Sequence, residues 1–141
     1  MKRGEREAGH SIILQTHDEN KVLTFASLPD GSYDKDLHFA MRVASGRVSA
    51  VSQFQVSEGR LDAFVRSSQE PEATLFDENG DASIKFEATD SIGHYLVTVE
   101  VGGPWSDQAK ISFQTDQTAI REFVRDLEMV LKLRSLESRG Q

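Results

Sequence analysis

The chain has 141 residues, 38% apolar and 28% charged, with 23 acidic against 16 basic residues and a net charge of −7. It has no cysteine, which excludes disulfides, thiolate metal ligands and a cysteine nucleophile, and fits a reducing compartment. No apolar run approaches the roughly 20 residues of a membrane-spanning helix, and Ile12-Ile13-Leu14 is too short for a signal-peptide core, so a cytoplasmic location is expected.

The charge is unevenly placed. Lys2, Arg3, Arg6, Lys132, Arg134 and Arg139 lie near the ends, which leaves 10 basic and 20 acidic residues between Ala8 and Leu131, a net of −10. Such a field repels phosphate backbones and anionic lipid, arguing against nucleic-acid or membrane binding, and it speeds encounter with a basic partner.

Along the chain, residues 1–10 read as a tail, 11–134 as one domain and 135–141 as a second tail. Strands are expected at 12–16 and 22–28, around the polar turn His17-Asp18-Glu19-Asn20. Pro29-Asp30-Gly31-Ser32 has turn composition. Leu37, Phe39, Met41 and Val43 then alternate with His38, Ala40, Arg42 and Ala44, and Ser45-Gly46 turns this strand into another at 47–54. A short helix should start at Ser57, whose hydroxyl can cap it. Glu58 suits the positive end of the dipole, Val56 can staple onto Leu61, and Leu61, Phe64 and Val65 form the apolar stripe. The helix should end before Pro71.

A strand at 73–76 leads to the turn Asp77-Glu78-Asn79-Gly80, where Asn-Gly tolerates positive dihedrals. Ala82, Ile84, Phe86 and Ala88, then Tyr95, Val97, Val99 and Val101, then Ile111 and Phe113, each recur with the period of two of a half-buried strand. After Asp116 the period changes. Ile120, Phe123, Val124, Leu127, Val130 and Leu131 share one face of a helix over 116–133. Its stripe should pack on the face carrying Ile84, Phe86, Val97 and Val99. The expected fold is α+β: a mainly antiparallel sheet of about seven to eight strands, a short middle helix and a long C-terminal helix packed on the sheet.

Catalytic and metal motifs are weak. Asp77, Asn79 and Asp81 match the first, third and fifth positions of a calcium loop, but Ala82 and Ala88 stand where glycine and a bidentate glutamate belong. His10, His17, His38 and His94 have no ligand-type partner at helical spacing. No serine sits in a Gly-x-Ser-x-Gly elbow. The expectation is a non-enzymatic protein with no metal and no cofactor. Partner-binding candidates are Asp18 and Glu19 in one turn, Asp77, Glu78 and Asp81 in another, and Trp105 as an aromatic anchor. The alternative is a small-ligand-binding or enzymatic domain with a loop-built site using Asp90, His94 and nearby carboxylates.

The run Asp90-Ser91-Ile92-Gly93-His94 entering the alternating strand, then Trp105, then residues 110–113 and a terminal helix, resembles the bacterial WapI-type immunity proteins and a related family of unknown function. The resemblance covers about residues 36–131. It implies an immunity protein that binds and neutralises a cognate toxin, with a basic nuclease among the partners an acidic inhibitor would suit.

Overall fold

In the computed structural model, residues 11–16, 20–28, 36–102 and 108–139 are described. Eight strands and two helices follow in the order β1 (Ser11–Leu14), β2 (Lys21–Ser27), β3 (Leu37–Ser45), β4 (Val48–Val56), α1 (Glu58–Ser67), β5 (Glu72–Phe76), β6 (Ala82–Ala88), β7 (His94–Val101), β8 (Ala109–Asp116) and α2 (Gln117–Arg139). The strands form two four-stranded antiparallel sheets, β1-β2-β3-β4 and β5-β6-β7-β8. The fold is therefore α+β, with each half of the chain a meander followed by a helix. The expected sheet is two sheets: hydrophobic alternation marks strands but does not say which of them share hydrogen bonds.

The alternation sets which faces are buried. Leu37, Phe39, Met41 and Val43 point inward from β3; Ile84 and Phe86 do so from β6, and Val97 and Val99 from β7. One continuous apolar cluster runs from the first sheet through both helices to the second. Polar groups also join the halves. The Lys21 ammonium donates to the Ser112 carbonyl at 2.9 Å, and the Thr115 hydroxyl donates to the Gln15 carbonyl at 2.6 Å.

Local signals place the helices. The Ser57 hydroxyl accepts the Arg60 N–H at 3.2 Å, capping α1 as expected. Val56 and Leu61 on either side of this cap are fully buried. The Asp116 carboxylate accepts the Ala119 N–H at 2.8 Å and caps α2. The backbone of α2 continues as helix beyond Leu133 through 135–139, part of the segment expected as a tail.

The packing of α2 differs from the expected one. It reaches Phe86 on the expected face but also lies against β1, β8 and α1, so its stripe is shared by both sheets rather than confined to the β6–β7 face. The Phe123 ring meets Phe25 of the first sheet edge-on at 5.8 Å and Phe86 of the second at 6.3 Å. A helix closing two sheets buries its apolar stripe against both, which one sheet face could not provide.

Leu127 is fully buried in this stripe and Glu128 is exposed. Burying a leucine contributes roughly 1.5–3 kcal/mol, and a carboxylate in its place adds a desolvation cost. Leu127→Asp should unfold or strongly destabilise the protein in thermal melts, while Glu128→Ala leaves the midpoint unchanged; equal midpoints would contradict this packing.

Candidate interaction surface

The acidic turn between β5 and β6 is organised by Asp77, a carboxylate only 3% exposed. One of its oxygens accepts the Gln55 N–H at 2.7 Å, and the other accepts the N–H groups of Asn79 at 3.1 Å and Asp81 at 3.2 Å. The Gly80 N–H donates to the Asp77 carbonyl at 3.0 Å, with Gly80 at φ 77°, a conformation that suits glycine. Gln55 lies on β4, so this carboxylate ties the turn of the second sheet to the edge of the first. Three backbone donors satisfy a carboxylate that water barely reaches.

Glu78 is also engaged inside the molecule. Its N–H donates to the Gln55 carbonyl at 2.8 Å. Its carboxylate pairs with Arg60 Nε at 2.9 Å and accepts the Ser57 N–H at 3.3 Å, which fastens the turn to the start of α1. Asp77 and Glu78, expected as partner-binding charges, are both engaged within the molecule. Backbone amides compete for a turn carboxylate once another strand passes close by, and nothing in the local sequence announces that strand. Asp81 differs: its carboxylate is exposed and has no partner among the described residues. Its backbone is fixed by the bond to Asp77 and by the Gly102 N–H donating to its carbonyl at 2.7 Å. Asp18, Glu19 and Trp105 lie outside the described residues.

Antiparallel register assembles a surface around Asp81 that sequence reasoning missed. Phe76 on β5 pairs with Ser83 on β6, Ser83 with Glu100 on β7, and Glu100 with Lys110 on β8. Asp81 precedes Ser83 by two residues and so shares its face. Phe76 is 52% exposed, and Glu100 is exposed without a partner among the described residues. The signal for Phe76 was present in the alternation: Ala73 and Leu75 point inward, so Thr74 and Phe76 must point out.

The Asp90–His94 run closes the β6–β7 hairpin. One Asp90 oxygen accepts the N–H groups of Ile92 at 2.9 Å and His94 at 3.1 Å, and the other lies 2.6 Å from His94 Nδ1. Gly93 adopts φ 103°, and its carbonyl accepts the Gln117 N–H at 2.8 Å. The spacing of this run is thus explained by a loop that seats the first residue of α2. Hydrogen bonding from His94, aided by the two backbone N–H groups, holds the Asp90 carboxyl below its ordinary range. Among the described residues no three His, Asp or Glu side chains are grouped to hold a metal ion.

No protein-family model matches the chain, and no curated protein matches it. In fold, it is similar to a chain of the solved "Crystal structures of trypanosoma bruciei MRP1/MRP2", with a TM-score of 0.55 at 8% sequence identity, over 99% of this chain and 90% of that one. At that identity the likeness concerns the fold alone. Among the described residues no helix is long and apolar enough to cross a membrane.

Two predictions test these assignments. Asp77→Ala removes three hydrogen bonds, and a typical intramolecular hydrogen bond contributes about 0.5–1.5 kcal/mol net; urea unfolding should show a clear loss of stability, whereas Asp81→Ala should not. The lowered Asp90 pKa means its contribution to stability is present above the ordinary carboxylate range and disappears as pH falls through the lowered value. In His94→Gln, carbon-detected NMR titration should move the Asp90 carboxyl back towards that range; an unchanged titration would remove His94 as the main cause.

Proposed function

We propose that this chain is a non-enzymatic, acidic protein-binding module that acts as a bacterial immunity protein and neutralises a cognate toxin. The observation that carries the proposal is the exposed Phe76 ring on one face with the unpartnered carboxylates of Asp81 and Glu100. An exposed aromatic flanked by carboxylates, with Lys110 opposite Glu100 at the margin, suits a partner offering an apolar pocket ringed by basic residues. The net charge of −7 favours a basic partner such as a nuclease with a cationic cleft. The resemblance of the Asp90–His94 region and its flanking strands to WapI-type immunity proteins supports the same class.

In this reading the carboxylates set the association rate and Phe76 sets the residence time. The test is co-expression with the product of the neighbouring gene, followed by kinetics on the purified pair. Asp81→Asn with Glu100→Gln should slow association and flatten its salt dependence, and Phe76→Ala should speed dissociation by about tenfold or more. A neighbouring product that is neither bound nor neutralised would reject the immunity assignment; a complex indifferent to all three substitutions would reject this surface.

A further inference from the structure

Each open sheet has two edges, and an edge with free N–H and C=O groups pairs with any compatible strand unless something blocks it. Three of the four edges here are managed. The short strand β1 lies against α2, and β5 lies against α1. Strand β8 carries Lys110 and Asp116, and its Ser112 carbonyl is occupied by Lys21. Strand β4 is guarded only towards its end, where the Gln53 carbonyl accepts the Ser52 hydroxyl at 3.0 Å and the Asp77–Glu78 turn covers Gln55. Its nine residues, VSAVSQFQV, include no charge, proline or glycine, and its register with β3 runs without a bulge from Val48 to Val56.

The direction of its free groups follows from the ladder. Leu28 N–H donates to the His38 carbonyl and Gly46 N–H to the Asn20 carbonyl, so the even-numbered residues of β3 bond to β2 and the odd-numbered ones to β4. On β4 the even-numbered residues therefore face β3, and Ser49, Val51, Gln53 and Gln55 face outward. Gln55 is already taken, by the Asp77 carboxylate and the Glu78 N–H. The backbone N–H groups of Ser49, Val51 and Gln53 have no partner among the described residues. Beside them Val48 and Val51 are 61% and 66% exposed.

We propose that β4 docks against β4 of a second copy of this chain, antiparallel about a two-fold axis at Val51, joining the two first sheets into one. Two features select a second copy. The strand has no charge to repel its symmetry mate, although the whole chain carries −7. Its ends are complementary: just beyond the open stretch, Arg47 of each copy meets the Asp77–Glu78 turn that covers Gln55 of the other, beside the carboxylates of Glu78 and of Asp36, which accepts the Gln55 side-chain amide at 2.8 Å. Arg47 is exposed and has no partner among the described residues. The Asp77–Glu78 turn limits the ladder to the open stretch, so the pairing is small and concentration-dependent.

Sedimentation equilibrium of the full chain across a concentration series tests this. The wild type should show a monomer–dimer equilibrium. Val51→Lys, which puts two ammonium groups opposite each other, and Arg47→Glu, which opposes like charges at both ends, should each raise the dissociation constant by roughly tenfold or more. Both side chains are exposed, so melting temperatures measured on dilute protein should not change. Because the chain has no cysteine, Val51→Cys should oxidise to a covalent dimer while Ser83→Cys on the other sheet does not. A wild type that stays monomeric into the high-micromolar range overturns the proposal, even if a strand of another protein binds this edge. A dimer that survives both charge substitutions overturns it as well.

Discussion

The structure depends on one ring. Phe123, in the first two turns of α2, contacts Phe25 in the first sheet and Phe86 in the second. Phe25 in turn packs on Phe39 and Phe54, with centroids 5.2 and 5.3 Å away, and Phe86 packs on Phe64 of α1 at 5.3 Å. Each four-stranded sheet has one apolar face that water would otherwise cover, and an amphipathic helix has one apolar stripe. Burying all three at a shared aromatic centre removes far more apolar area from water than any pairwise arrangement. The tilted and edge-on ring geometries suit the ring quadrupoles, so the centre is specific as well as hydrophobic.

Asp77 complements this apolar centre at the periphery. Apolar contact is non-directional and would tolerate some sliding of one sheet relative to the other. A carboxylate accepting from Gln55, Asn79 and Asp81 tolerates much less, because each donor lost leaves the buried Asp77 side chain less satisfied. The same turn occupies Gln55 at the end of β4 and thereby sets where the open edge of the first sheet stops. Fold, edge and charge are linked through one hairpin: it engages Asp77 and Glu78 and leaves Asp81 to solvent.

Much of the fold was legible in the sequence. Period-two alternation marked four of the eight strands and turn composition bounded the other four to within a few residues, the Ser57 cap marked α1, and the change of period after Asp116 marked α2. These signals are local, since side-chain direction follows backbone geometry within a few residues. The candidate surface was less legible. The acidic turn at 77–81 looked uniform in sequence, yet its three carboxylates have three different fates: one buried among backbone donors, one paired with Arg60, one without a partner among the described residues. Phe76 was readable as outward-facing, but its proximity to Asp81 and Glu100 depends on pairing among β5, β6 and β7.

The sequence by itself determined the α+β class, the strand and helix positions and which residues on each element are buried, because these follow from periodicity, capping and turn chemistry. Tertiary structure alone decided that the strands divide into two sheets, that α2 is shared between them, that Asp77 is a clasp and that β4 is left with an open edge. Those outcomes depend on hydrogen bonds between residues such as Gln55 and Asp77, far apart in the chain, and hydrophobic alternation carries no information about which strand a backbone N–H will meet.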